Sequence, residues 1–119
     1  MKSILLACLA GLAAIGSAHA ADKSTALTAC APLSDAHKAS TFGTQYVLIE
    51  DGDAHYRLRF RGGTCNALSL VTQIEIVGAQ TQNQLCPDDT RVMTQRGNCN
   101  VSGVDLISAE RYQSLRRRR

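Results

Sequence analysis

Four cysteines, Cys30, Cys65, Cys86 and Cys99, are spread across residues 21–119, and they constrain the fold more than any other feature of the chain. An even set of cysteines in a short exported sequence is the signature of two disulfides. The spacing opposes the alternatives. A structural zinc site draws thiolates in close pairs such as C-x2-C, so that two leave one knuckle. Thioredoxin-type redox chemistry needs C-x-x-C at a helix start, where the first thiol is acidified. The nearest two here, Cys86 and Cys99, stand much further apart than either pattern allows. No metal and no cofactor is expected. Three connectivities are open. The favoured one joins Cys30–Cys99, tying the start of the domain to its last strand, and Cys65–Cys86, clipping the loop after the second strand to the end of the third. The competitor closes Cys86 on Cys99 across a hairpin. Each bridge is expected to stabilise the fold by about 2–4 kcal/mol, chiefly by restricting the unfolded chain.

The export that this argument needs is written at the N-terminus. Lys2 supplies a basic start, residues 4–15 form an apolar run interrupted only by Gly11, and Ala18-His19-Ala20 follows as a small-x-small site. This is the pattern of a secretory signal cleaved after Ala20. The run is shorter than the roughly 20 residues that span a bilayer, so no transmembrane segment is expected after the leader is removed. A lipoprotein cut before Cys8 would leave almost no apolar segment ahead of it. The expected organisation is a signal peptide over 1–20, a lead-in over 21–29, a disulfide-stapled β domain over 30–108, and a short helix with a basic tail over 109–119. The expected location is periplasmic or secreted.

Charge is distributed unevenly. The chain holds 13 Lys and Arg against 10 Asp and Glu. One lysine belongs to the leader and four arginines, Arg116, Arg117, Arg118 and Arg119, close the chain. Without those five, acids outnumber bases, so the basicity resides in the tail. Such a tail suits phosphates, lipopolysaccharide or an anionic membrane surface. It is shorter than a typical basic arm and no aromatic residue alternates with it, so there is no platform for stacked bases. Nucleic acid is not an expected partner.

Periodicity reads mainly as β. In "TQYVLIEDGDAHYRLRFRGG", Asp51-Gly52-Asp53 joins two β-rich runs as hairpin chemistry. Tyr56, Leu58 and Phe60 alternate with His55, Arg57, Arg59 and Arg61, which places an apolar and a basic set on opposite faces. "SLVTQIEIVGA" predicts a third strand with Ile74 and Ile76 on one face. "TRVMTQRGNCNVSGVDLIS" predicts two more around Gly97-Asn98, with a bulge at Gly103. "SDAHKA" predicts one helical turn capped by Ser34. At the other end Ser108 caps a helix, Glu110 suits its positive end, and Tyr112 and Leu115 form its apolar strip. There is no Trp, and only two Phe, so the core must be aliphatic and include Val47, Leu48, Ile49, Leu58, Leu70, Val92, Val101, Val104 and Leu106. The expected fold is mainly β: a small antiparallel barrel or sandwich of five to six strands, with a short C-terminal helix and two disulfides.

Few side chains form a recognisable chemical constellation. Asp88-Asp89 after Pro87 is turn vocabulary before it is a carboxylate pair, and Glu50, Asp51 and Asp53 flank a hairpin glycine. His37 and His55 stand near no nucleophile motif. The stripe of Arg57, Arg59 and Arg61, roughly 7 Å apart along one face, is the stronger candidate. It suits an anionic glycan, a phosphate or an acidic protein surface, unless Glu50, Asp51, Asp53 and Glu75 neutralise it.

Cys30 with "APL", "HYRLRFRGGTCNAL", "TQIEIVG", "LCPDD" and "RGNCNVSGVDLIS" together resemble an uncharacterised family of small exported gram-negative bacterial proteins, domain of unknown function 6491. The resemblance runs from about Cys30 to Ser108 and implies a periplasmic or envelope-associated protein with no known activity. The resulting expectation is a non-enzymatic binding or structural module. It would meet an anionic envelope component through Arg57, Arg59 and Arg61, with Arg116 to Arg119 auxiliary. Two alternatives stand beside it: an inhibitor or adaptor that presents the loop between Cys86 and Cys99 to an envelope protein, and a small hydrolase built on His55.

Overall fold

The computed structural model describes residues 24–117. The leader, the cleavage site after Ala20, and Arg118 and Arg119 lie outside the described residues. The centre of the fold is the hairpin of β4 (Tyr46–Asp51) and β5 (Ala54–Phe60). Its two-residue connection uses Gly52 at φ 61, a left-handed conformation that costs glycine little. Tyr56, Leu58 and Phe60 are buried on one face of β5, as the alternation predicts. Val47, Leu48 and Ile49 of β4 are all fully buried, because both faces of that strand are covered. Val47 and Ile49 enter the larger core with Leu58, Val92 and Val104, whereas Leu48 joins Ile107, Tyr112 and Leu115 on the other side.

β3 (Lys38–Phe42) extends this hairpin through the turn at residues 43–45, with Phe42 opposite Tyr46. β9 (Gly97–Ile107) runs along the far edge of β5. Its other edge carries β8 (Arg91–Thr94) at the start and β1 (Ser24–Ala26) at the end, and β6 (Glu75–Val77) pairs with β8. The order β3-β4-β5-β9-β8-β6 curls into an antiparallel half-barrel. A separate two-stranded ladder joins β2 (Ala31–Pro32) to β7 (Gln84–Leu85). Helix α1 (Ala109–Arg116) covers the outer face, where Ser108 Oγ accepts the Arg111 N–H at 3.0 Å and Tyr112 and Leu115 are buried. The mainly β fold with a short C-terminal helix and two disulfides is as expected.

Several particulars differ. The lead-in belongs to the sheet, since β1 pairs with β9 and the Leu27 N–H donates to the Val104 carbonyl at 2.9 Å. The β8–β9 turn falls at Gln95-Arg96 and not at Gly97-Asn98. Thr94 Oγ1 accepts the Arg96 N–H at 2.9 Å and donates to the Gly97 carbonyl at 2.8 Å, so a threonine supplies the turn chemistry. Residues 34–37 form a single hydrogen-bonded turn without a helix, and Ser34 caps Asp51 instead: the Ser34 N–H and hydroxyl both donate to its carboxylate. Leu106 is 41 % exposed and Leu70 is 89 % exposed, so neither belongs to the core.

The disulfides are Cys30–Cys86 and Cys65–Cys99, which corrects the favoured Cys30–Cys99 and Cys65–Cys86 and also the Cys86–Cys99 competitor. The ladders explain why. β8 already occupies the edge of β9 at Cys99, which lies opposite Val92. The chain arriving from β1 must therefore leave that edge after Leu27, and it pairs with β7 instead. There Ala31 faces Leu85, so Cys30 and Cys86 fall at the next position of the ladder. Cys65 follows β5, the neighbour of β9, and its N–H is held by the Thr44 carbonyl at 2.7 Å, which leaves its sulfur beside Cys99.

Candidate functional site

The arginine stripe does not present three free guanidinium groups. Asp105 on β9 lies directly opposite Arg57, and its carboxylate accepts from Arg57 Nη2 at 3.0 Å, Arg59 Nε at 2.9 Å and Arg59 Nη2 at 3.2 Å. Asp105 is buried, which by itself would raise its pKa, but the hydrogen bonds from Arg59 and Arg57 overcome this and hold the carboxyl below its ordinary value. The acids named from sequence as neutralising partners, Glu50, Asp51, Asp53 and Glu75, do not fill that role. Gly103 makes the pairing possible: a Cβ there would meet the Arg59 guanidinium, 2.9 Å from Cζ. The β-bulge that sets Gly103 opposite Arg59 and Val101 opposite Phe60 brings the two together. Nothing local in "SGVDLIS" marks Asp105 as that partner; its one signal is a lone acid in an apolar strand of a chain that also holds an arginine-rich one.

Arg61 is separate from that cluster. It shares a shallow cleft of about 530 Å3 with Arg91, Asp88 and Asp89, a lining of mixed charge. Asp88 and Asp89 sit in a turn fixed by Thr90, whose Oγ1 accepts the Cys86 N–H at 2.6 Å and donates to the Cys86 carbonyl at 2.7 Å. Arg116 lies over the Tyr112 ring, 5.8 Å from its centroid, and Arg117 caps α1, so these two begin by packing on the helix.

His55 lies beneath α1, 7 % exposed, with its ring 4.7 Å from that of Tyr112 and Nε2 3.4 Å from Glu50 Oε2. A covered imidazole packed on a tyrosine is a core element, poorly placed to reach a substrate. His37 Nδ1 is engaged by the Ser34 carbonyl at 2.7 Å. Among the described residues no three His, Cys, Asp or Glu side chains gather as a metal site, and no helix is long and apolar enough to cross a membrane.

The most distinctive surface is the seam where the half-barrel stops. Among the described residues, β3 is the last strand of the sheet on this side. Facing it is the segment of residues 68–74 that leads into β6. Two adjoining clefts fill the gap. One, of about 620 Å3, lies between residues 41–46 and residues 68–71; the other, of about 480 Å3, lies between His37, residues 39–41 and residues 71–74. Consecutive residues line both walls, so the clefts look edge-on at backbone. Neither lining contains a carboxylate or a guanidinium. At one end the Phe42 and Tyr46 rings stack with centroids 6.0 Å apart, and Leu70 stands exposed with φ 66. A bulky side chain in the left-handed region costs roughly 1–2 kcal/mol, and strain of this kind concentrates at functional positions.

These features define the class: a disulfide-stapled β half-barrel with a cleft-lined seam beside β3. No protein-family model, no curated protein and no solved structure matches the chain.

Proposed function

We infer that this protein is an exported, non-enzymatic binding module of the bacterial envelope or periplasm, and that it engages its partner along the seam beside β3. Two disulfides suit an oxidising compartment, in keeping with the leader pattern of residues 1–20 and with the motif resemblance to an exported four-cysteine family. The observation that carries the reading is Leu70. Its side chain is 89 % exposed, in a backbone conformation that leucine adopts at a cost, on the rim of the larger cleft. Folding gains little from that arrangement, so the gain is assigned to contact with a partner. The arginine stripe passes to a supporting role, because Arg57 and Arg59 already share Asp105.

The test is selective retention. The mature protein and its Leu70→Gly variant are exposed to a displayed peptide library and to an array of neutral glycans. A ligand held by the native protein and lost from the variant is the expected result. Equal retention by both, or retention by neither, overturns the reading.

A further inference from the structure

We propose that the cleft lined by Arg61, Arg91, Asp88 and Asp89 binds a small zwitterion, with its oxyanion on the two arginines and its primary ammonium on the two aspartates. This is a second site. It shares no lining residue with the clefts of the seam and does not rest on the reading made there.

Backbone pairing sets the basic side. Arg91 on β8 lies directly opposite Asn100 on β9, and directly opposed residues share a face of the sheet. At the other edge of β9 the Arg61 N–H donates to the Asn100 carbonyl at 3.1 Å. Two arginines thus flank one asparagine, and all three line the cleft. Two strand spacings separate the arginine backbones, roughly 10 Å, a span that two long guanidinium side chains can close on a single carboxylate or phosphate. The acidic side comes from the turn before β8. Thr90 Oγ1 ties that turn to the Cys86 backbone, and Cys86 is bridged to Cys30. The Thr90 carbonyl also accepts the Val101 N–H at 2.9 Å, which fixes the turn against the strand that carries Asn100.

Among the described residues, neither Arg61 nor Arg91 forms an ion pair with Asp88 or Asp89, although all four are exposed and line one cleft. Backbone held at both ends keeps two positive and two negative charges apart around a space of about 530 Å3. Their sum is zero, which selects against a ligand of one sign. Phosphate alone would meet the carboxylates as well as the arginines, and an amine alone would meet the arginines. A molecule carrying both signs satisfies both pairs.

The probes are O-phosphoethanolamine and glycylglycine, titrated at low ionic strength into the isotope-labelled, oxidised mature protein and followed by amide shifts. At least one is expected to move the amides of residues 88–91 and 100 saturably. It should bind about three- to tenfold tighter than its halves, phosphate or acetate on one side and ethylamine on the other. A preference for phosphoethanolamine assigns a phospholipid headgroup as the source, and a preference for glycylglycine assigns a free peptide or amino acid; either satisfies the proposal. Asp88→Asn with Asp89→Asn is expected to erase the advantage of the zwitterion over its anionic half. Arg61→Gln with Arg91→Gln is expected to erase its advantage over ethylamine. All four side chains are exposed, so both variants should keep the fold, which unchanged amide spectra away from the cleft verify. Leu70→Gly is expected to leave these affinities unchanged, which separates this site from the seam. Halves that bind as tightly as the zwitterions, an advantage that survives either variant pair, or no shift at residues 88–91 and 100 overturns the proposal, whatever the seam binds.

Discussion

Arg59 reaches Asp105 by lying across Gly103, with Nε 2.9 Å from one carboxylate oxygen and Nη2 3.2 Å from the other. Arg57 adds a third hydrogen bond to the same group. The cluster sits on the outer face of β5 and β9, where a charged stripe would otherwise be left to solvent. One acid thus converts what sequence alone presents as an anion-binding row into a structural clamp between two central strands.

Asp105→Ala should lower stability by about 1–3 kcal/mol in urea unfolding. The acid is buried, but Arg59 is half-exposed, so water recovers part of what the arginines lose. Gly103→Ala should cost about 1 kcal/mol by displacing Arg59, and that cost should shrink in an Arg59→Ala background. Equal costs in both backgrounds would show that the glycine acts through something else.

The same clamp gives a pH dependence with a definite sign. Asp105 has a folded-state pKa below its unfolded value of about 3.9, so the unfolded chain takes up the proton first as pH falls. The clamp's contribution is complete above that value and is lost as pH drops through the lowered folded pKa. Asp51, lowered by its hydrogen bonds from Ser34, adds an effect of the same sign. Urea midpoints measured from neutral pH downward should fall below about pH 4 in the native protein, and less steeply in Asp105→Asn.

Non-reducing peptide mapping should recover Cys30–Cys86 and Cys65–Cys99. Their sequence separations of 56 and 34 differ little on a logarithmic scale, worth only about 0.4 kcal/mol in favour of the first. Burial reverses the order: Cys65 and Cys86 are both buried, at 1 % and 2 % exposed, but Cys65 pairs with half-buried Cys99 at the main core, whereas Cys86 pairs with exposed Cys30. Replacing Cys65 and Cys99 by Ala should therefore cost about 1–2 kcal/mol more than replacing Cys30 and Cys86, as measured by thermal or urea unfolding.

Leu70→Gly should stabilise the protein by about 1 kcal/mol, because it relieves a left-handed leucine and removes almost no buried surface. Combined with lost ligand retention, this would be a trade of stability for function at one residue. A destabilised variant would mean that the side chain contributes packing of its own.

Helix α1 should be held mainly by Tyr112. Tyr112→Ala removes a ring 2 % exposed against His55 and the Leu48 cluster, and should cost about 3–5 kcal/mol. Ser108→Ala removes only the cap to Arg111 and should cost about 1 kcal/mol. Circular dichroism with urea unfolding ranks the two.

The legible parts of the chain were those with a local cause. The hairpin at Gly52, the alternation of Tyr56, Leu58 and Phe60, and the Ser108 cap each depend on residues within one element. The site was far less legible. Leu70 reads from sequence as one more core leucine, since nothing nearby signals that residues 68–71 turn outward. Arg57 and Arg59 read as a free stripe because their partner is 46 to 48 residues away.

By itself the sequence determined a mainly β, aliphatic, four-cysteine domain with a capped C-terminal helix, because alternation, turn residues and caps act over a few positions. Tertiary structure decided which cysteines meet, which arginines remain free and where the sheet stops. Those outcomes turn on competition for the edges of β9: β8 takes the edge at Cys99, which diverts Cys30 to Cys86, and among the described residues the curl of the sheet then ends at β3. Such competition is a property of the assembled sheet, and no single segment encodes it.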